Sequence, residues 1–106
     1  MQANDYQNAT DETAIYPKES GVLYCILGLT NEAGEVAGKY KKFIRDLSNW
    51  EDVRQALKAE LGDVQWYVAR LAAELDFDLE EIMEDNLAKL RGRKARGTLG
   101  GSGDNR

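Results

Sequence analysis

The sequence contains no histidine. That removes histidine-based zinc sites, Glu-x-x-His di-iron bundles and serine–histidine triads. A single cysteine, Cys25, offers no intrachain disulfide and points to a cytoplasmic protein. One proline in 106 residues leaves little to interrupt helices, and Ala, Leu, Glu and Lys are abundant. No apolar run approaches the roughly 20 residues of a membrane span. No secretory signal is visible at the N-terminus. Positive charge is also short: 14 Lys and Arg against 19 Asp and Glu give a net charge of −5. That balance argues against duplex nucleic acid as a partner. It leaves room for a small phosphorylated ligand, because local charge governs such a site.

Hydrophobic residues make up 42% of the chain, enough for one small domain. Four helices are expected. The first covers about 2–14, with Tyr6, Ala9, Thr10, Thr13 and Ala14 along one side, and Pro17 ends that region. The second runs from about Glu19 to Arg45, on a stripe that includes Val22, Cys25, Leu29, Val36, Tyr40 and Phe43. The third runs from about Asn49 to Leu75, with Val53, Leu57, Leu61, Val64, Val68 and Leu71. The fourth starts near Leu79 and ends near Gly92. Ser48-x-x-Glu51 reads as a capping box and Asp78-x-x-Glu81 as its carboxylate analogue. The expected fold is all-α, a four-helix antiparallel bundle with a central long helical hairpin, completed by oligomerisation. The domain is placed at 1–93 and a flexible glycine-rich tail at 94–106.

One acidic pattern occurs twice. Glu32-Ala33-Gly34-Glu35-Val36 returns 28 residues later as Glu60-Leu61-Gly62-Asp63-Val64. Acids three apart share one helix face. A short connection between the second and third helices makes them antiparallel neighbours. With the turn centred near 47–48, Glu35 and Glu60 are equidistant from it, as are Glu32 and Asp63. All four then lie at about the same level, on the order of 20 Å along the hairpin. Crowded carboxylates repel unless a cation neutralises them. Four oxygen ligands suit a hard ion, Mg²⁺ or Mn²⁺. On a helical wheel Glu32 and Glu60 border the apolar stripe, and Glu35 and Asp63 lie about 60° further out. Gly34, Gly38 and Gly62 sit inside helices at a cost of roughly 1 kcal/mol each. Close helix approach or room for a ligand would explain them.

Glu32-x-x-Glu35 followed by Glu60-x-x-Asp63 resembles the E-x-x-E…E-x-x-D signature of the all-α nucleoside triphosphate pyrophosphohydrolases, MazG type. The flanks are similar too: Leu29 before the first motif, Lys41-Lys42 and Arg45-Asp46 after it, and Asp78 to Arg93 as the C-terminal helix. The resemblance covers most of residues 19–93. It implies Mg²⁺-dependent hydrolysis of a nucleoside triphosphate to monophosphate and pyrophosphate, with Mn²⁺ as a possible substitute ion. It also implies homodimers or homotetramers whose subunits share each site.

On this reading Glu32, Glu35, Glu60 and Asp63 are both the metal ligands and the catalytic acids, with Glu35 or Glu32 as the candidate base for water. Asn86 falls within the Leu79, Ile82, Met83, Leu90 stripe, and an amide facing a core must find partners. Asn86, Lys89 and Arg93 are therefore candidate phosphate contacts. Lys39 and Lys42 follow Glu35 at i+4 and i+7 and are candidates too. Tyr67, four residues after Asp63, is the candidate base contact, with Tyr6, Tyr40 and Trp66 as other aromatics able to stack. Cys25 reads as packed rather than reactive. The Arg96-Gly97-Thr98-Leu99 stretch could close over a bound nucleotide, the alternative being a flexible tail that takes no part. The competing reading is a non-catalytic, metal-stabilised helical interaction or dimerisation module. The repeated acids favour metal binding in both, and the Asn86/Lys89 pair favours the enzyme.

Overall fold

The computed structural model describes all of residues 1–106. Its elements are α1 (Ala3–Thr10), a 3₁₀ turn (Asp11–Thr13), a second 3₁₀ turn (Lys18–Ser20), α2 (Gly21–Asp46), α3 (Trp50–Glu74) and α4 (Leu79–Ala95). There are four α-helices and no strand, as the sequence pattern predicts.

The centre is the α2–α3 hairpin, and only Leu47–Asn49 separate its arms. Leu47 takes a left-handed conformation (φ 48°) and its N–H reaches the Phe43 carbonyl at 2.8 Å, closing α2. The cap of α3 is Asn49, whose side chain accepts from the Asp52 N–H at 3.1 Å. The expected Ser48 capping box does not form; the cap falls one residue later, as a single side-chain bond from Asn49. Tyr40, Phe43 and Trp50 cluster at the turn with ring centroids 5.4–6.3 Å apart.

The α3–α4 corner is a Schellman turn built on an aspartate. Asp76 has φ 62°. The Phe77 N–H bonds to Ala72 O at 2.9 Å and the Asp76 N–H to Ala73 O at 3.1 Å. The expected Asp78 cap does not form, since the Asp78 side chain makes no capping bond. At the far end Gly97 (φ 72°) closes α4 in the same way, with Thr98 N–H to Arg93 O at 2.8 Å. The helix thus ends at Ala95, past the expected stop near Gly92. Gly97, and not Gly92, carries the positive φ that a helix stop requires. Beyond it the chain folds back on itself. The Arg106 guanidinium donates to the carbonyls of Thr98, Leu99, Gly100 and Gly103.

Residues 11–17 cross the open end of the hairpin as a strap. The core lies beneath it, where Ala14, Tyr16 and Cys25 are buried and Trp66, Tyr67 and Leu71 pack against them. Arg70, itself buried, gathers the strap. It donates to Tyr16 Oη at 3.3 Å and Thr10 Oγ1 at 3.4 Å, and stands 3.5 Å from Asp11. Tyr16 in turn donates to Glu74. Only 12 of 106 residues are buried, so most of the hairpin and nearly all of α4 remain open to solvent.

Candidate functional site

The hairpin register brings Glu32 of α2 against Glu60 and Asp63 of α3. One carboxylate oxygen from each lies within 4.8 Å of the others. Glu35 is not in this group. It is exposed on α2, one turn further along and rotated outward, yet its charge still bears on Glu32. The expected four-acid cluster is therefore three acids with a fourth beside them. The wheel does not predict this, since it sets Glu35 and Asp63 equally far from the apolar stripe; the packing of α2 on α3 brings Asp63, and not Glu35, to the Glu32–Glu60 pair.

The electrostatics of the trio are unfavourable without a cation. Burial pushes the Glu32 carboxyl above its ordinary range, and the neighbouring Glu60, Asp63 and Glu35 carboxylates push it further. No lysine or arginine forms an ion pair with any of the four. Glu60 Oε2 is buried with no hydrogen-bond partner. An orphaned carboxylate oxygen costs several kcal/mol unless something positive meets it. Three hard oxygen donors, one each from Glu32, Glu60 and Asp63, fit a Mg²⁺-type ion better than a soft one.

A cavity of about 290 Å³ opens beside the acids, lined by Thr13, Glu32, Asp63, Trp66 and Tyr67. The Trp66 and Tyr67 rings meet edge to face at 5.0 Å. Trp66 Nε1 donates to Thr13 Oγ1 at 2.9 Å, so the strap forms one wall. Burial raises the Tyr67 phenol, as do its hydrogen bond with Tyr24 and the Glu32 charge nearby, so it remains a neutral donor. Tyr6 of α1 is raised by burial and by the Asp63 charge, which places it on the same acidic field. Tyr40 stands instead in the aromatic cluster at the turn.

The remaining candidates are not gathered here. Lys39 is half-buried and Lys42 exposed on α2, and neither is ion-paired to an acid. Asn86 and Lys89 are exposed on α4, which contributes no side chain to the cavity. Asn86 was expected to face a core. No part of this chain covers that face of α4, and its stripe residues Ile82, Met83 and Leu90 are exposed as well. Arg93 is buried, and its guanidinium donates to Asp104 O at 2.8 Å within its own tail.

The glycines also redistribute. A Cβ at Gly34, Gly38 or Gly62 would meet nothing, so these are not points of close helix approach within the chain. Gly28 is: a Cβ there would collide with the Tyr67 ring. Sequence reasoning missed Gly28 and Thr13. Neither belongs to a motif, and only their contacts with Tyr67 and Trp66, far along the same chain, mark them.

The sequence profile of the MazG nucleotide pyrophosphohydrolase domain matches residues 21–97. Over a 114-position alignment covering all of both chains, the sequence is 47% identical to the Gene 37 protein of Mycobacterium phage L5. No solved structure matches it.

Proposed function

From a chain that belongs to the MazG nucleotide pyrophosphohydrolase family, we propose a Mg²⁺-dependent enzyme that cleaves a nucleoside triphosphate to monophosphate and pyrophosphate. The observation that carries the proposal is the carboxylate trio with its orphaned Glu60 oxygen. Glu32, Glu60 and Asp63 would hold the ion. Bound there, it would neutralise phosphate oxygens, which is most of what phosphoryl chemistry asks of a protein. Glu35, exposed beside the trio, is the better-placed acid to take a proton from the attacking water, because its oxygens are not committed to the cluster. Trp66 and Tyr67 offer an apolar wall for the base, and the raised Tyr67 hydroxyl stays able to donate.

The phosphate contacts would come from a second subunit. Asn86 and Lys89 lie on an arm that does not reach the cavity of its own chain. The accessible surface is 7667 Å², whereas a monomer of this mass exposes about 6,000 Å². The radius of gyration is 16.8 Å, against about 13 Å for a compact chain of this length. The excess surface, roughly 1,700 Å², is about twice what a standard interface takes from each partner. Leu23 and Leu27 on α2 and Ile82, Met83 and Leu87 on α4 are among the exposed apolar side chains. A homodimer or homotetramer accounts for both excesses.

The test is a panel of nucleoside triphosphates with Mg²⁺, scoring pyrophosphate against orthophosphate. The reading expects pyrophosphate and monophosphate, lost in Asp63→Asn and Glu60→Gln. Orthophosphate as sole product, or turnover surviving both substitutions, overturns it.

A further inference from the structure

Gln7 lies on α1, outside both acidic motifs, yet it is only 6% exposed. A buried amide must find partners. Gln7 finds three in one corner. Its Oε1 accepts from the Leu79 N–H at 2.9 Å. Its Nε2 donates to Phe77 O at 2.9 Å and to Ala69 O at 3.4 Å. Leu79 is the first residue of α4, so Gln7 satisfies the first free amide of a helix whose own cap residue, Asp78, makes no side-chain bond. Asn4 supplies the next: its Oδ1 accepts from the Glu80 N–H at 3.0 Å, and Glu80 Oε1 accepts from the Asn4 N–H at 3.3 Å. The first two amides of α4 are thus capped from another helix, 72 and 76 residues away in sequence.

The rest of α4 is held by little. Leu79 is 2% exposed, but every residue from Glu81 to Arg91 is exposed. Within its own chain α4 is gripped at its base, and that grip sets the direction in which the helix meets a second subunit. Asn86 and Lys89 follow Leu79 by seven and ten residues, about 10 and 15 Å along the helix at 1.5 Å per residue. A tilt of about 15° at the base would carry Lys89 roughly 4 Å sideways on that lever. A hydrogen bond or ion pair to a phosphate does not survive such a shift.

We propose that Gln7 is a positioning residue: by capping α4 from α1 it sets the direction in which α4 leaves the hairpin, and with it where Asn86 and Lys89 meet the triphosphate. This rests on the activity proposed above. It assigns α1 a task that neither acidic motif requires.

The experiment compares Gln7→Met with the parent chain in steady-state pyrophosphate release and in amide hydrogen exchange. Methionine keeps the side-chain length and removes the capping acceptor and the amide donor. KM for the nucleotide should rise at least tenfold, with kcat within threefold, because the carboxylate trio is untouched. Exchange should accelerate at Leu79 and Glu80 and not at Glu60 or Asp63. Gln7→Glu retains an acceptor for Leu79 and should fall between the two. If Gln7→Met does not fold, Gln7→Glu is judged by the same split, with a threefold KM rise as its threshold. KM within twofold of the parent, or a fall in kcat at unchanged KM, overturns the proposal. Absence of any pyrophosphate from the parent chain would instead sink the activity, and the exchange data would still decide whether Gln7 holds α4.

Discussion

Gly28 of α2 and Tyr67 of α3 occupy one shared volume: the phenol ring lies where a side chain at position 28 would stand. Tyr67 is thereby held against Trp66 and beside Glu32 and Asp63. Gly28→Ala should displace the ring. Overpacking of this kind costs about 1–3 kcal/mol. The expected outcome is a lower melting temperature together with weaker nucleotide binding, in a protein whose acids are all intact. A variant with unchanged melting and unchanged KM would show that the ring has somewhere else to go.

The acid trio makes a prediction about pH. Glu32 has its carboxyl pKa raised by burial and then by its acidic neighbours. A group raised in the folded state binds protons more tightly there than in the unfolded chain. Its contribution is fully present below the unfolded carboxyl range and is lost as pH rises through the folded value. The metal-free protein should therefore lose stability from mildly acidic to neutral pH. Mg²⁺ should restore it at neutral pH and have little effect under acid, where it competes with protons. An ion at 100 times its Kd adds about 2.7 kcal/mol, which is on the order of 10 °C for a domain of this size. Thermal melts with and without Mg²⁺ at several pH values read this directly. Glu32→Gln should abolish the Mg²⁺ shift without destabilising the metal-free protein at neutral pH.

Glu35 separates holding the ion from using it. Glu35 lies outside the 4.8 Å group. Glu35→Gln should leave most of the Mg²⁺-induced melting shift in place while lowering kcat by 100-fold or more. Asp63→Asn and Glu60→Gln should lose both. Loss of the melting shift in Glu35→Gln would make Glu35 a ligand and remove it as the candidate base.

Arg70 should matter to stability more than to chemistry. It is buried, and it ties Asp11 and Tyr16 of the strap that walls the cavity to Thr10 of α1 and Glu74 of α3. Arg70→Met leaves the Glu74 carboxylate with only the Tyr16 hydroxyl. Breaking a buried charged network costs about 3 kcal/mol, discounted here because Asp11 is largely exposed. Chemical denaturation should show a loss of roughly 2 kcal/mol.

Leu87 tests association. It is 47% exposed on the arm of α4. Leu87→Glu should leave the secondary structure intact, shift sedimentation toward the monomer and lower turnover at least tenfold. A parent chain that sediments as a monomer and still turns over nucleotide would return the whole site to one subunit.

By itself the sequence determined the two long helices, their hairpin and the level at which the acids meet, while the first helix, expected to reach about residue 14, stops at Thr10. Apolar spacing of three and four residues is a local property, and a three-residue connection fixes the register of the two arms it joins. Counting sets Glu32 opposite Asp63 and equally Glu35 opposite Glu60, and only the first of these pairs lies within the acid group. Tertiary structure alone decided that Glu35 stands apart, that Gly28 seats Tyr67, that Thr13 walls the cavity and that Gln7 caps α4. Each of these depends on the rotation of a helix about its own axis or on a contact between residues dozens of positions apart. Periodicity places a side chain on a face, and only packing chooses what that face meets.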